Sequence, residues 1–258
     1  MSNFGCFGLL FSIAAILSAC TTPKKQQSVE PENPKISLEI PKQENDMPFV
    51  QREGYALSFD HKYNLARWVA YSLTREEVDS EENQRENDYS RDPDFPAADA
   101  SKTFEGYDRG HLAPAEDFEW SAKAMRESFY GANLAPQTSR YNRGIWKRLE
   151  GRVRALALRE GEVIVVTGPI LEPKLKRLEN GMAIPLSYYK VLLIKNSKGV
   201  KAIGFVIPQD YQSKDLCSYA NNIDFAEEVT GVDFFPGLPD QIENQIERTA
   251  NCSEWMNK

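Results

Sequence analysis

The chain has only two histidines and four cysteines in 258 residues. Two imidazoles cannot furnish a histidine-rich zinc centre, and cysteines this dilute cannot staple a disulfide-scaffold miniprotein. Long apolar runs are scarce as well. Phe4 to Ala19 is the one uncharged apolar stretch, and the mean hydropathy of -0.53 excludes a polytopic helical membrane protein. There is no G-x-S-x-G elbow, no H-E-x-x-H pair and no Walker A loop, so three large classes of hydrolase have no foothold. An excess of positive charge is missing too. Lys+Arg of 31 against Asp+Glu of 38 leave a net charge of -7, a field that on average repels polyanions, so a polyanionic ligand has to be met by a local basic patch. What is present, 41% hydrophobic and 27% charged residues, suits one globular domain with appendages.

The apolar run ends in Leu17-Ser18-Ala19-Cys20, which resembles a bacterial lipobox: small residues before the cut, then a thiol to carry the lipid. Residues 1–19 are thus expected to be a lipoprotein signal peptide, with Cys20 as the lipidation site; the alternative is a signal anchor, for which the run is short of the ~20 residues a spanning helix needs. From Cys20 to Pro48 the chain is rich in Pro, Lys, Gln and Glu without apolar periodicity. It is expected to be a disordered tether spanning ~30 Å, holding a domain at 49–258 clear of a membrane. The expected location is the bacterial cell envelope, lipid-anchored, on the outer membrane as Thr21 after the lipidated cysteine implies. With Cys6 removed and Cys20 acylated, Cys217 and Cys252 are left as one disulfide or as two free buried thiols.

In the globular part, Tyr55 to Phe59 and Ala66 to Leu73 read as a hairpin, and Val163 to Thr167, Tyr188 to Ile194 and Ala202 to Ile207 as further strands. Asp224 to Thr230 and Gln241 to Ala250 read as helices. The expected class is α+β, a central mostly antiparallel sheet flanked by helices. Thr74 to Lys102 is too long for an ordinary connection and carries ten acidic residues against four basic, nearly the whole net charge of the chain.

The densest chemistry is Asp108-Arg109-Gly110-His111-Leu112-Ala113-Pro114. An imidazole accepts a proton near neutral pH, and a guanidinium two residues earlier, on the same face of an extended segment, offers a fork for a phosphoryl oxygen. Gly110 between them would let a ligand approach the backbone. His61, in the polar turn of the hairpin, reads as structural.

From Asn142 to Arg159, Ile145, Leu149, Val153 and Leu156 make an apolar helical stripe. The rest is basic: between Ser139 and Arg159 lie seven Lys or Arg residues and only Glu150 of opposite sign. Glu150 and Arg154 are spaced for an i,i+4 ion pair, and Asn142 and Glu150 lie about 80° apart on a helix.

These segments together resemble the DNA/RNA non-specific endonucleases of the ββα-metal class, the endonuclease G-like nucleases. The resemblance runs from Tyr55 to about Pro236 through D-R-G-H-L-A-P at 108–114, N-L-A-P-Q at 133–137, N-R-G-I-W-K-R-L-E at 142–150, V-T-G-P at 166–169, I-P-L-S-Y-Y-K-V at 184–191, G-F-V-I-P at 204–208 and E-V-T-G-V-D-F-F-P at 228–236. It implies a ββα-metal motif in which His111 is the general base and Asn142 the single protein ligand of a hydrated Mg2+ or Mn2+. Arg109 would stabilise the transition state, and Glu150 would hold the metal's waters. Arg154 would bind phosphate or orient Glu150, while Arg143 and Asn133 would contact substrate; Arg91 or Arg85 fits a further phosphate contact only loosely. Asp108 is expected to orient the backbone or Arg109. The implied activity is metal-dependent, sugar-non-specific hydrolysis of DNA and RNA. The alternative is a non-catalytic polyanion-binding envelope lipoprotein on the same fold. Tyr188, Tyr189 and Phe205 read as core residues of strands.

Overall fold

The computed structural model describes residues 1–2, 40–44, 46–80, 83, 87–102, 104–248 and 250–256. Most of the expected signal peptide, Cys20, most of the expected tether and Arg85 lie outside them. The chain divides into Met1–Asn33 and Pro34–Lys258, and everything below concerns the second unit.

Alternating and β-branched runs give a seven-stranded sheet of order β1-β2-β3-β6-β7-β8-β9, antiparallel at every pairing. Its strands are β1 Phe49–Gln51, β2 Ala56–Asp60, β3 Leu65–Thr74, β6 Glu162–Pro169, β7 Ser187–Asn196, β8 Gly199–Pro208 and β9 Ala220–Asn221. The β2–β3 turn is held by Asp60, whose Oδ1 accepts the amides of Lys62 and Tyr63, while Asn64 takes a positive φ of 55°. Strands β6 and β7 are buried on both faces, which is why they read as nearly continuous apolar runs. A separate two-stranded ribbon pairs β4 Asp108–His111 with β5 Leu134–Gln137.

The helices are α1 Arg75–Val78, α2 Ala122–Ser128, α3 Ser139–Tyr141, α4 Lys147–Glu160, α5 Ile223–Thr230, α6 Asp240–Glu247 and α7 Cys252–Met256. α4 buries Leu149, Val153 and Leu156 against β3 and β6, and α5 and α6 pack on β8. Cys217 and Cys252 are joined by a disulfide with Cα atoms 5.6 Å apart, tying α7 to the turn at Leu216–Tyr219.

Two expectations about organisation need correction. The expected boundary at Phe49 falls too late, because residues before it are already docked on the domain. Pro41 is buried, Lys42 pairs with Asp233 through backbone (3.0 Å) and side chain (3.3 Å), Glu44 with Arg67 at 2.7 Å, and Pro48 accepts the Phe59 amide. These residues are polar in composition yet find charged and backbone partners on the domain. The acidic stretch is also not all loop. Thr74 caps α1 with the Glu77 side chain returning to the Thr74 amide at 2.8 Å, a capping box written in the sequence as Thr-Arg-Glu-Glu.

Candidate active site

The ribbon and the start of α4 converge on a cleft of about 390 Å3 whose walls include Tyr89, Asp108, Arg109, His111, Asn142, Arg143, Glu150 and Arg154. Alternation along β4 puts Arg109 and His111 on the cleft side. Gly110, between them, is not open to a ligand: a Cβ there would sit 2.2 Å from the amide carbon of Gln137, whose side chain is fully buried. The glycine makes room for a neighbouring strand's side chain instead.

Arg109 is anchored by the carbonyls of Ala100 (2.8 Å) and Lys102 (3.0 Å), and its guanidinium lies over the rings of Tyr89 and Phe104 at 4.9 and 5.6 Å. The acidic stretch therefore supplies the socket that aims the guanidinium. The His111 ring packs edge-on against Phe129 at 5.0 Å, and its backbone carbonyl accepts the Trp146 indole N–H at 3.4 Å. A fixed ring on a strand, hydrogen-bonded into the core behind it, is suited to proton transfer at a set position.

The helix expected from Asn142 is regular only from Lys147. Between α3 and α4 the chain makes a wider π-helical turn, Asn142–Trp146, where Gly144 takes φ -104° and ψ -107°. A Cβ at Gly144 would lie 2.6 Å from the Tyr211 hydroxyl, so a close approach by Tyr211 accompanies the break. The wider turn sets Asn142 and Glu150 on the cleft together, both on its wall.

Asp108 faces Asn142 and not Arg109. Its Oδ2 accepts Asn142 Nδ2 at 3.0 Å and Arg143 Nε at 2.8 Å, while Oδ1 accepts Arg143 Nη2 at 3.0 Å and Ser139 Oγ at 2.7 Å. With the amide nitrogen committed, the Asn142 oxygen accepts no hydrogen bond among the described residues. Burial raises the Asp108 carboxyl pKa, but the hydrogen bonds from Arg143, Asn142 and Ser139 outweigh it and hold the group below its ordinary value.

The expected Glu150–Arg154 ion pair is absent among the described contacts. Arg154 instead binds Asp117 at 2.9 Å, and Asp117, fully buried, also accepts the Tyr71 hydroxyl at 2.9 Å. The Glu150 carboxylate makes no hydrogen bond among the described residues, and burial pushes it up to about 7 against the pull of Lys190. Lys190 is fully buried on β7, donates to the Leu112 carbonyl at 3.2 Å and lies 4.8 Å over the Trp146 ring. Burial lowers its ammonium to about 8, with Glu150 and Asp117 resisting.

Two other expectations change. Asn133 is fully buried, and its amide is spent on the Ala113 amide (3.0 Å), the Ala113 carbonyl (2.9 Å) and the Ser128 carbonyl (2.8 Å). It clamps the segment after His111 and cannot contact substrate. The basic face of 139–159 is likewise divided. Arg143, Lys147 and Arg154 line the cleft, whereas Arg140 stacks on Tyr211 at 4.2 Å and Arg159 pairs with Glu160. Arg91 is held by Asp99 at 3.1 Å and does not line the cleft.

The family model for DNA/RNA non-specific endonucleases matches residues 37–241. The chain belongs to that family. Among relatives of the nuclease, Nuclease C1 of Cunninghamella echinulata var. echinulata is 30% identical over 80% of this chain and 89% of its own length. Mitochondrial Nuclease EXOG of Danio rerio is 32% identical over 77% of this chain, which spans 64% of that protein's length. A solved EndoG/EndoGI complex matches with a TM-score of 0.68 at 27% identity, covering 75% of this chain and 88% of the other.

Sequence reading missed Lys190, Asp117, Tyr89 and the real partner of Asp108. Lys190 could have been found, because a lysine inside Tyr-Tyr-Lys-Val-Leu-Leu is a charge in a strand that is otherwise buried. Asp117 and Tyr89 carry no local pattern that separates them from their neighbours.

Proposed function

We propose that this nuclease hydrolyses phosphodiester bonds of both DNA and RNA with a divalent cation, Mg2+ or Mn2+, and without base preference. The observation that carries the reading is that Asp108 holds the Asn142 amide nitrogen, so that this residue, a wall of the cleft that His111 and Arg109 share, keeps its carboxamide oxygen without a hydrogen bond among the described residues. A hard cation takes oxygen donors and keeps several waters. That chemistry fits a single neutral amide oxygen, and among the described residues there is no cluster of three or more His, Cys, Asp or Glu to enclose an ion. Asn142 would hold the cation and Glu150 would accept hydrogen bonds from its waters. Bound there, the ion would supply positive charge to the phosphate and the leaving oxygen.

The chain's own groups do the rest. His111 takes the proton of the attacking water, and Arg109, held rigid by two carbonyls and two rings, donates to the phosphoryl oxygens as negative charge grows on them. Arg143, Lys147 and Arg154 bind phosphate, which carries no sequence information, so cleavage is indifferent to base. A binding-only lipoprotein would have no use for a proton acceptor beside an amide oriented as a ligand.

Incubating the purified chain with supercoiled DNA and with RNA, with Mg2+ or with EDTA, tests this reading. Both polymers are expected to be cut in Mg2+ and neither in EDTA, with activity falling steeply as salt rises. Intact RNA beside digested DNA, or full activity in EDTA, would contradict it.

We propose further that Cys20 carries a lipid and tethers the domain to the bacterial outer membrane. The support is the small-small-Cys ending of the apolar run. Radiolabelled palmitate should enter the parent and not Cys20→Ala.

A further inference from the structure

Beside the catalytic cleft lies a second groove of about 550 Å3 between Tyr107 and the β6–β7 connection. Its walls are mainly apolar: Tyr107, Leu175, Ile184 and Leu186, the last 59% exposed and among the most exposed large aliphatic side chains described. Lys174 and Lys176 also line it, against Glu172 alone of opposite sign. Tyr107 belongs to both cavities, and the next two residues, Asp108 and Arg109, are walls of the catalytic cleft. The Glu179 amide donates to Glu105 Oε1 at 2.8 Å, pinning the far turn of the β6–β7 connection to the segment that carries Tyr107.

From this juxtaposition we infer that the groove is a subsite for an unpaired nucleobase of the strand being cut, next to the scissile phosphate. The inference rests on the phosphodiesterase reading above. A nucleic-acid strand alternates phosphates with flat, weakly polar bases, and here a polar cleft is continuous with an apolar groove rimmed by ammonium groups. A phosphate seated between Arg109 and His111 leaves its neighbouring base at Tyr107, with Lys174 and Lys176 placed for the next phosphates. Stacking on an aromatic ring is tolerant of base identity, so the subsite adds affinity without sequence preference. A paired base has its faces covered by its neighbours in the stack. The groove therefore favours single-stranded or locally unpaired substrate over intact duplex.

Leu186→Asp tests this, since an exposed side chain can change without unsettling the core; circular dichroism of the full chain should be unaltered. Three substrates are compared in Mg2+: an end-labelled single-stranded oligonucleotide, its duplex, and bis(p-nitrophenyl) phosphate, a diester too small to reach the groove. The variant is expected to raise KM for the single strand several-fold, because a carboxylate beside the Tyr107 ring sets a charge against an apolar base and repels the neighbouring phosphate, while turnover of the small diester is unchanged. Binding of a fluorescent oligothymidylate in EDTA should weaken in parallel. An unchanged KM for the single strand, or equal losses on all three substrates, would overturn the subsite. So would light scattering that shows a parent dimer split by Leu186→Asp, because the groove would then be a contact between copies. A parent chain inactive on every substrate would instead overturn the phosphodiesterase reading itself.

Discussion

Asp108 Oδ2 accepts a hydrogen bond from Asn142 Nδ2 at 3.0 Å, so the carboxylate of β4 decides which way the carboxamide thirty-four residues later faces. The same carboxylate holds Arg143 through two nitrogens. Strand and helix are thereby locked in the relative position the cleft needs.

Replacing Asp108 by Asn removes that lock. Partners that orient a metal ligand are worth about 10- to 100-fold in metal affinity. Asp108→Asn is accordingly expected to need more Mg2+ for half-maximal activity, and to regain much of its rate at high Mg2+. The sign of the pH effect follows from the lowered pKa. A depressed carboxyl contributes stability in full above its unfolded value of about 3.9 and loses it only as pH falls through the still lower folded value. Asp108 stays ionised where an imidazole titrates, so its own titration does not shape the acid limb. Titration of rate against Mg2+ at several pH values checks both.

Burial raises the Glu150 carboxyl above its ordinary value, so it takes up a proton at a higher pH than a solvated carboxylate does and is then a weaker acceptor for a metal's waters. A nearby positive charge favours the ionised form. The acid limb of the pH–rate profile should therefore move to lower pH as Mg2+ is raised. A limb that stays fixed across a wide range of Mg2+ would remove Glu150 from the cation's surroundings.

Lys190→Met takes away the buried ammonium that opposes the rise of Glu150. The acid limb is expected to move up, with activity at pH 7 lost more than activity at pH 8.5. The Leu112 carbonyl also loses its donor, which costs about 1–3 kcal/mol, so the melting temperature should fall. A variant that melts lower with an unmoved pH profile would reduce Lys190 to a structural residue.

Gly110→Ala would drive a methyl group into the Gln137 amide. Overpacking of this kind costs about 1–3 kcal/mol, and here it displaces the strand between Arg109 and His111. The double variant Gly110→Ala/Gln137→Ala clears the space and should recover stability, read as melting temperature.

Much of this architecture was legible in the amino-acid order. The strands announced themselves because Tyr55 to Phe59, Ala66 to Leu73 and the later runs are β-rich, and the stripe Ile145, Leu149, Val153, Leu156 gave the helix its buried face. His111, Arg109, Asn142 and Glu150 were found by spacing and resemblance, and the fold does bring them to one cleft. What stayed hidden depends on contacts between distant segments. The π turn at Asn142 comes with Tyr211 close to Gly144. Arg154 turns to Asp117 rather than to Glu150, one helical turn away: both carboxylates are buried, and Asp117 takes the guanidinium while the buried Lys190 ammonium acts on Glu150. Asn133 looked like a site residue since its motif neighbours the site, whereas its amide is consumed by the backbone it clamps. Ile40 to Pro48 looked like tether because polar residues can dock on a surface without leaving any apolar period in the sequence.

The most direct test of the central claim, that an imidazole and a carboxamide oxygen act on one phosphodiester from the same cleft, is the turnover of His111→Ala on plasmid DNA in Mg2+. Removing a general base is expected to lower kcat by about 10²- to 10⁴-fold, with circular dichroism and DNA affinity unchanged. A folded His111→Ala that cleaves within a few-fold of the parent would contradict the account.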